Sequence, residues 1–415
     1  MKLLHSIKAH DDKVWSLSSH PTLPLLATAS TDKCSNIYRL SCSNASSSSS
    51  SSSPSSPPSP PSSSSPRRNF PQIAHLEDTH RRSVRSVSFK PPMGGVDHQD
   101  SNILDLPALA SGSFDSTISI WGIDEPDDDN TYEIEEIIAN QKEFLASPGN
   151  EWNLMAVIEG HENEIKAVDW NFSGRYLASC SRDKTVWIWE TDPETLEEFE
   201  CVAVLTDHTQ DVKHVTWHPT RNLLASSSYD DTIRVYKQEF DDDEWSCVGM
   251  IDGHEGTVWC SKFESPKSPK AKDGTTRLVS VSDDLSARVW ASKDNTGFNG
   301  GSEQLQSQSQ THLPSSIRHN TEEMVWEQES TLPQIHTHAI YSVAWSSSSG
   351  KIATAGSDGR IVVYKETNAG WEVENIQESA HGVYEINCVI WAKLDSDQEV
   401  LISGGDDGNV NIWEV

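Results

Sequence analysis

Histidine, serine and aspartate, the three residue types of a nucleophilic triad, recur together along this 415-residue chain, which contains 16 histidines. One representative set is His161, Ser179 and Asp183. A single set of this kind in a cleft could activate its serine for covalent catalysis. Here the set returns in one segment after another at similar spacing, so we interpret these residues as parts of a repeated structural unit and predict no catalytic residues.

Other reactive residue types form no pattern of a cofactor or metal site. Among the seven cysteines there is no C-x-x-C pair, and their spacing offers no clustered ligands for zinc or an iron–sulfur cluster. No phosphate-binding or dinucleotide-binding glycine motif is present. The sequence therefore predicts a protein that is not an enzyme, has no cofactor and binds no metal.

Charge and hydropathy exclude two further classes of partner. The chain has 32 Lys and Arg against 63 Asp and Glu, a net charge of −31, whereas nucleic acids and anionic membranes need a basic surface. No apolar run approaches the roughly 20 residues of a membrane-spanning helix. The segment Met1–His10 lacks the apolar core of an export signal, so we expect free thiols in a reducing compartment.

A thirteen-residue segment that aligns without gaps recurs seven times. Each copy has a short apolar run, a turn with Asp at its seventh position, and an alternating run that ends in Trp or Tyr, which predicts two antiparallel strands joined by a tight turn. The copies are LATASTDKCSNIY (26–38), LASGSFDSTISIW (109–121), LASCSRDKTVWIW (177–189), LASSSYDDTIRVY (224–236), LVSVSDDLSARVW (278–290), IATAGSDGRIVVY (352–364) and LISGGDDGNVNIW (401–413).

Two more strands are predicted ahead of each copy, one after the repeat His and one before it, as at Trp152–Ile158 and Trp245–Ile251. Units of four antiparallel strands with this His and a terminal Trp resemble the WD repeats of β-propellers. The last unit ends at Val415 after its third strand, and Lys2–Lys8 is the free candidate for its outer strand. The prediction is an all-β, seven-bladed WD-repeat β-propeller over residues 1–415, closed by pairing of Lys2–Lys8 with Asn409–Glu414.

The resemblance also implies a role for the repeated polar residues. In WD-repeat families His, Ser or Thr, Asp and Trp form a buried hydrogen-bond relay within a blade, which fixes its geometry. We expect an incomplete relay in three blades, because Tyr38, Tyr236 and Tyr364 replace the Trp. The complete sets are His80, Ser111, Asp115 and Trp121; His161, Ser179, Asp183 and Trp189; His254, Ser280, Asp284 and Trp290; and His381, Ser403, Asp407 and Trp413.

Three segments interrupt the repeats. Residues 43–66 are almost only Ser and Pro and are predicted to be a disordered insert between repeats 1 and 2. Residues 122–150 form a predicted acidic loop in which Thr131–Leu145 is expected to form a short helix, and residues 291–323 form a predicted polar loop.

Two repeat positions take no part in the relay. In WD-repeat propellers both surround the narrow, upper opening of the disc, and we expect the same here. One follows the repeat His by five or six residues, and the other directly precedes the turn Asp. Several occupants are aromatic or cationic, residue types that dominate interface hot spots, so we predict a partner-binding surface for an acidic partner. Its residues are Arg182, Lys166, Lys213, Arg85, Phe114, Tyr229, Trp15, Trp259 and Tyr341.

A closer resemblance rests on segments that generic WD repeats do not share. They resemble, in this order, the WD-repeat subunit of the fungal cytosolic iron–sulfur protein assembly machinery. Arg182 in the SRDK segment matches an Arg that the family uses on its upper face. The segments are IEGHENEIKAVDW (158–170), CSRDKTVWIWETD (180–192), HTQDVKHVTWHP (208–219), LLASSSYDDTIRVY (223–236), DGHEGTVWCSKF (252–263) and AHGVYEINCVIW (380–391).

This resemblance implies a non-catalytic adaptor that is cytoplasmic and nuclear. Its implied partners are a hydrogenase-like iron–sulfur carrier protein, the small adaptor and large helical-repeat scaffold subunits of a targeting complex, and apo iron–sulfur clients that receive [4Fe–4S] clusters. The adaptor itself would not ligate a cluster. The alternative is a chromatin- or transcription-associated propeller that binds peptides, although a reader of cationic histone tails usually has an acidic mouth.

Overall fold

Seven four-stranded antiparallel sheets make up the computed structural model of the protein. The structure describes residues 1–41, 70–92, 105–124, 141–238, 244–293 and 324–415. Inner strands of neighbouring sheets contact each other throughout the series, and the first also contacts the last, so the sheets close into a ring. The predicted seven-bladed propeller is confirmed.

The N-terminal strand β1 (Lys2–Lys8) belongs to blade 7, and every other strand follows in chain order from the inner to the outer position of its blade. Blade 1 contains β2 (Val14–Ser19), β3 (Leu25–Ser30), β4 (Ser35–Arg39) and β5 (Gln72–Leu76), and blade 2 contains β6 (Val84–Phe89), β7 (Ala108–Ser113), β8 (Thr117–Ile123) and β9 (Trp152–Glu159). Blade 3 contains β10 (Ile165–Trp170), β11 (Tyr176–Ser181), β12 (Val186–Glu190) and β13 (Glu200–Leu205), and blade 4 contains β14 (Val212–Trp217), β15 (Leu223–Ser228), β16 (Ile233–Gln238) and β17 (Trp245–Ile251). Blade 5 contains β18 (Val258–Phe263), β19 (Thr275–Ser282), β20 (Ala287–Lys293) and β21 (Glu327–Thr331), and blade 6 contains β22 (Ile340–Trp345), β23 (Ile352–Gly356), β24 (Ile361–Thr367) and β25 (Gly370–Gln377). Besides β1, blade 7 contains β26 (Ile386–Lys393), β27 (Glu399–Gly405) and β28 (Asn409–Glu414).

Burial changes from the inner part of each blade to its outer strand. The second strand is buried on both faces, as in β11, where every side chain is buried, and its small Ala and Ser residues allow neighbouring blades to approach closely. The outer strand β13 is mostly exposed. The apolar cores lie between blades: Ala178 of blade 3, for example, packs in one cluster with Trp217 and Leu224 of blade 4. Each blade is therefore stabilised mainly by its neighbours.

The ring closes through the N-terminal strand, as predicted from the sequence. Strand β1 pairs with β28 from Lys2 opposite Glu414 to Lys8 opposite Asn409, with one irregularity between Leu3 and His5. This pairing gives blade 7 its fourth strand and leaves β28 without a free edge.

Two predicted loops begin later than expected, because hydrogen-bonded strands extend into them. Strand β8 continues through Ile123, and β20 continues through Lys293. A short helix α1 (Gln141–Leu145) lies at the end of the predicted acidic loop, while residues 131–140 and the Ser/Pro segment 43–66 lie outside the described residues. Within the described ranges, no helix has the length and apolar character needed to cross a membrane.

The upper face is defined here as the edge at which the inner strands begin. The turn between the second and third strands of each blade lies at the same edge, because the residue before the turn Asp donates its backbone N–H toward the start of the inner strand. In blade 3, Arg182 N donates to Glu164 O at 3.0 Å, and in blade 4, Tyr229 N donates to Asp211 O at 2.9 Å. The two repeat positions predicted for the interface are thus brought side by side in every blade.

Candidate functional site

The predicted relay is complete in blade 3. Trp189 Nε1 donates to Ser179 Oγ at 3.0 Å, Ser179 Oγ lies 2.8 Å from His161 Nε2, and His161 Nδ1 lies 2.8 Å from Asp183 Oδ2. Because an indole N–H only donates, the serine proton is directed to His161 Nε2, and the Nδ1 proton is directed to the carboxylate. The relay therefore ties the upper turn, the second strand and the third strand into one hydrogen-bonded unit.

Blades 5 and 7 repeat this arrangement, whereas blade 2 departs from the prediction. In blade 2, Trp121 Nε1 donates at 3.0 Å to Ser119 rather than to Ser111, and Ser119 Oγ lies 2.9 Å from His80 Nε2. Ser111 keeps its predicted contact with His80, with Oγ 3.2 Å from Nε2, and its Oγ also lies 2.6 Å from that of Ser119. The assignment of Ser111 as the direct partner of Trp121 is wrong, because a second hydroxyl on β8 stands closer to the indole. The matching contacts in blades 5 and 7 join His254, Ser280, Asp284 and Trp290, and His381, Ser403, Asp407 and Trp413.

The three blades with Tyr keep the His–hydroxyl–Asp part of the relay. In two of them the Tyr hydroxyl donates instead to a backbone carbonyl, from Tyr38 to Ala9 at 3.4 Å and from Tyr364 to Pro333 at 3.2 Å. The retained parts are His10, Thr28 and Asp32; His208, Ser226 and Asp230; and His336, Thr354 and Asp358.

The relay aspartates have depressed pKa values. Burial alone would raise the pKa of Asp183, but hydrogen bonds from His161 and Thr185 outweigh it and lower this pKa to about 2. The Asp183 side chain is only 8% exposed, and that of His161 is 1% exposed. A buried carboxylate whose hydrogen bonds are satisfied within its own blade positions the backbone and does not face a substrate.

A cavity of about 250 Å³ opens at the centre of the upper face and is called the upper mouth here. Seven of the nine predicted interface residues line it, and the residue set combines four cations with four aromatic rings and two acids. The lining residues are Lys13, Trp15, Arg85, Phe114, Lys166, Lys213, Trp259, Tyr341, Glu385, Asn387 and Asp406.

The remaining two predicted residues stand near the mouth without lining it. Arg182 is 58% exposed in its side chain, and its guanidinium lies 4.0 Å from Glu164. Tyr229 is exposed, with Lys213 Nζ 5.0 Å from its ring centroid. Both side chains are accessible on the upper face, outside the cavity itself.

Four lining residues were not among the predicted interface residues. Asn387 and Asp406 occupy the two repeat positions already considered, in blade 7, but are neither cationic nor aromatic. Lys13 and Glu385 occupy a third position, two residues before the inner-strand position, and Glu164 and Asp211 occupy it in blades 3 and 4. Comparing that position across the repeats would have revealed them.

Cations and aromatic rings stack around the mouth. The Arg85 guanidinium lies 4.7 Å from the Trp15 ring centroid, and Lys166 Nζ lies 4.2 Å from that of Phe114. Trp259 and Tyr341 pack edge to face, with centroids 5.1 Å apart. These contacts hold the long side chains in defined positions, which lowers the conformational entropy lost when a partner binds.

The lysines of the mouth already have carboxylate neighbours. Lys166 Nζ donates to Glu164 at 2.8 Å, and Lys213 Nζ donates to Asp211 at 3.4 Å. Burial lowers the pKa of Lys166, and the hydrogen bond to Glu164 partly offsets that effect. Much of the expected positive charge at blades 3 and 4 is therefore neutralised locally.

Arg85 differs from the lysines. Across the described residues it forms no ion pair with a carboxylate; its guanidinium donates to the Trp15 carbonyl at 3.4 Å, and burial lowers its pKa. Lys13, whose Nζ lies 5.8 Å from the ring centroid of the same Trp15, forms an ion pair with Asp406, and that hydrogen bond raises the Lys13 pKa. Among the four cations that line the mouth, Arg85 is thus the one without a carboxylate partner within the described residues.

A larger cavity of about 520 Å³ lies on the opposite edge, between blades 3 and 4. Its polar groups are engaged with one another: Arg175 pairs with Glu190, Asn222 donates to Gln238 at 2.9 Å, and Gln238 donates to the Tyr176 hydroxyl at 3.2 Å. Because these polar groups already bind one another, the groove offers few hydrogen-bonding groups to a ligand. The upper mouth is therefore the stronger candidate site.

One group of metal-ligating types occurs within the described ranges. The ligand atoms of Cys34, His75 and Glu77 lie within 4.8 Å of one another at the β4–β5 edge of blade 1. No metal site is predicted from the sequence, because Cys34 and His75 lie 41 residues apart along the chain.

The seven repeats match a known family of protein domains. The family model described as "WD domain, G-beta repeat" matches seven segments that together cover most of the chain. The matched segments are residues 1–39, 72–122, 152–190, 199–237, 245–291, 326–365 and 374–414.

Three relatives that match over the full length of the chain have the same name. A protein of Lodderomyces elongisporus named "Probable cytosolic iron-sulfur protein assembly protein 1" is 99% identical over 100% of both chains. The chain belongs to this WD-repeat family. Members with the same name in Candida albicans and Kluyveromyces lactis are 65% and 43% identical, over 100% of this chain and 100% and 98% of theirs.

Family membership also fits the positions of the interruptions. The segments between the matched repeats include 40–71, 123–151 and 292–325, which contain most of the residues predicted as inserts. The family's repeat unit therefore accounts for the blades, and its members' full-length coverage includes the intervening segments.

Proposed function

We propose that this chain is a non-catalytic adaptor in cytosolic iron–sulfur protein assembly, and that its upper mouth is the docking site. The single observation that carries the site is the mouth itself, where stacked cations and aromatic rings surround an opening in a protein of net charge −31. The pathway is taken from the name shared by the relatives. The adaptor role agrees with relay residues that are buried and engaged in structure.

The proposed partners are those of the family resemblance. They are a hydrogenase-like iron–sulfur carrier protein, the small adaptor and large helical-repeat scaffold subunits of a targeting complex, and apo clients that receive [4Fe–4S] clusters. We further propose that the protein acts in the cytoplasm and the nucleus, without direct contact to nucleic acid or membrane.

The chemistry of the mouth favours an acidic group on the partner. Arg85 is held by Trp15 and has no carboxylate neighbour within the described part of the chain, so a carboxylate entering the mouth would gain a charge-assisted hydrogen bond without displacing another. The surrounding rings would contact apolar groups beside that carboxylate. A peptide segment with an acidic and an aromatic or aliphatic side chain fits both features.

Arg182 is proposed to contact the partner at the rim. Its backbone N–H is fixed by Glu164, whereas its side chain is exposed, so the fold should tolerate its replacement. Arg182→Glu should melt within a few degrees of wild type but lose carrier or client binding. Truncation of a hot-spot Arg typically costs about 2 kcal/mol, roughly thirtyfold in affinity, and charge reversal should cost more. Arg182→Lys should restore part of the binding, because Lys lacks the bidentate fork.

The control must be an equally exposed arginine away from the upper face. Arg288 of strand β20 is unsuitable because its guanidinium lies 3.2 Å from the relay carboxylate of Asp284. Arg175 is 59% exposed and lies on the opposite edge, so Arg175→Glu is the matched control. Equal binding by wild type and Arg182→Glu in a cytosolic pulldown would show that the upper face of blade 3 is not the docking site.

A peptide-binding propeller of chromatin is the second candidate, and Glu385 and Asp406 at the mouth are the observation in its favour. Asp406, however, already pairs with Lys13 and accepts a hydrogen bond from Asn387 at 2.8 Å. A cationic tail would have to displace Lys13. Mass spectrometry of proteins captured by wild type and lost by Arg182→Glu separates the two candidates: iron–sulfur proteins support the first, and histones support the second.

A further inference from the structure

The turn of blade 1 contains a thiol at a position where blades 2 to 5 contain a hydroxyl, blade 6 contains Arg360 and blade 7 contains Asn409. Thr185 in blade 3 and Ser286 in blade 5 follow the turn Asp by two residues, and each donates to its carboxylate at 2.6 Å. Cys34 stands at this position in blade 1, and its Sγ lies 3.6 Å from the backbone carbonyl of Asp32. The thiol therefore does not form the hydroxyl-to-aspartate hydrogen bond of these turns.

The register of the sheet places two more ligand types beside this thiol. Asn36 on β4 is opposite His75 on β5, and Ser35 is opposite Leu76, so Glu77 follows directly beside Cys34. Because alternate residues of a strand share a face, Cys34 and Asn36 face the same side as His75 and Glu77. A sulfur, an imidazole nitrogen and a carboxylate oxygen thus lie within 4.8 Å of one another.

The hydrogen bonds of Asn36 fix the tautomer of His75. Asn36 Nδ2 donates to Ala9 O at 2.7 Å, and Asn36 Oδ1 accepts from Gln72 Nε2 at 3.0 Å, which orients the amide. His75 Nδ1, 2.6 Å from the same Oδ1, must therefore carry a proton. Its Nε2 lies 3.2 Å from Glu77 Oε2 and faces it either as a lone pair or with a second proton. Metal-binding histidines are commonly oriented by such a hydrogen bond from the ring nitrogen that does not bind the metal.

We propose that Cys34, His75 and Glu77 form a zinc-binding site on blade 1. When His75 Nε2 carries no proton, its lone pair and those of Glu77 Oε2 repel each other unless a cation lies between them, and a thiolate, an imidazole and a carboxylate match zinc. Solvent would supply the fourth ligand, because His75 and Glu77 are exposed. Zinc binding replaces the thiol proton of Cys34, which passes to solvent.

The electrostatic surroundings agree with a cation site. The carboxylates of Asp32, Glu77 and Asp78 place negative charge around Cys34. The same negative field attracts a divalent cation. A site with one thiolate differs from an iron–sulfur cluster site, which is held mainly by cysteines.

The test uses the full-length protein, stripped with a chelator and titrated with zinc against a chromogenic competitor. We expect one zinc per chain, and at least about tenfold weaker binding by Cys34→Ser and by His75→Ala. Cys34→Ser should fold normally, because Ser286 occupies the same turn position in blade 5. The matched controls are Cys201→Ser and His338→Ala, which replace an exposed Cys and an exposed His away from blade 1.

Cobalt gives an independent readout of the thiolate ligand. Wild type with one equivalent of Co²⁺ should show a sulfur-to-metal charge-transfer band, and Cys34→Ser should lose it. The proposal is overturned if wild type binds no zinc in competition, if both site variants bind like wild type, or if the charge-transfer band is absent. In the first case a proton shared between His75 and Glu77 accounts for their contact.

Discussion

Removal of residues 1–8 tests whether the N-terminal strand closes the ring. Strand β1 contributes a backbone ladder to β28, and its partly buried Leu4 and Ile7 pack on the core shared by blades 7 and 1. The conformational entropy lost when the backbone of β1 is ordered largely offsets the hydrogen bonds of the ladder. The burial of these two side chains therefore determines how much stability the deletion removes. Half-burial of each contributes about 1 to 1.5 kcal/mol, so deletion should lower the free energy of unfolding by roughly 2 to 3 kcal/mol. That is a large fraction of the 5–15 kcal/mol typical of native proteins.

The assay is thermal unfolding together with light scattering. We expect a midpoint lower by roughly 5 °C or more and concentration-dependent aggregation, because β28 becomes an exposed edge strand. Leu3→Asp is the matched control, since Leu3 belongs to the same strand but is 47% exposed. A truncated protein that melts and scatters like wild type, or a Leu3→Asp variant as unstable as the truncation, would refute the argument that β1 stabilises through its inward residues.

Four further outcomes are expected. Arg182→Glu should lose partner binding in pulldowns while Arg175→Glu keeps it, as set out above. Arg85→Gln should weaken the same binding, and unchanged affinity in a direct titration would exclude a carboxylate at Arg85. The chain should retain no iron and no visible cluster absorbance after anaerobic reconstitution and desalting; stoichiometric iron would contradict the adaptor proposal. Because the Asp183 pKa is depressed to about 2, its carboxylate should add about 2 kcal/mol to the free energy of unfolding above about pH 4, and this contribution should be lost as the pH falls toward 2. In urea unfolding, Asp183→Asn should therefore lose less of its free energy of unfolding than wild type over this pH range. An equal loss would exclude a depressed pKa at Asp183.

The sequence was sufficient for the fold because each blade repeats one local pattern. Alternation and the turn Asp located β11 and β12, and the unpaired third strand of the last repeat identified β1 as its partner. The relay was less predictable in detail. Ser119 replaces Ser111 as the partner of Trp121 because two hydroxyls on adjacent strands compete for the indole, a choice that distance decides.

The candidate site was predictable by repeat position but not by charge balance. The repeats identified Lys166 and Lys213 as neighbours of the mouth, yet the carboxylates that neutralise them occupy a third position that was not compared. The blade 1 cluster was missed for another reason. Cys34 and His75 are 41 residues apart with the Ser/Pro segment between them, and only the strand register shows that they meet.

The two faces of the propeller differ in the lengths of the connections between their strands, and this difference favours the upper face for docking. At the upper edge, strands are joined by turns of three or four residues and by connections of five to eight, so the residues around the mouth keep one geometry in every blade. At the opposite edge the connections range from two residues between β24 and β25 to 33 between β20 and β21. Because neighbouring strands are antiparallel, every gap in the described residues also falls between strand ends of that opposite edge. A rigid partner site needs side chains held at fixed mutual distances. The relay-braced turn of blade 3 provides this at Arg182, and the inner strand β6 with the Trp15 contact provides it at Arg85, whereas connections of variable length do not.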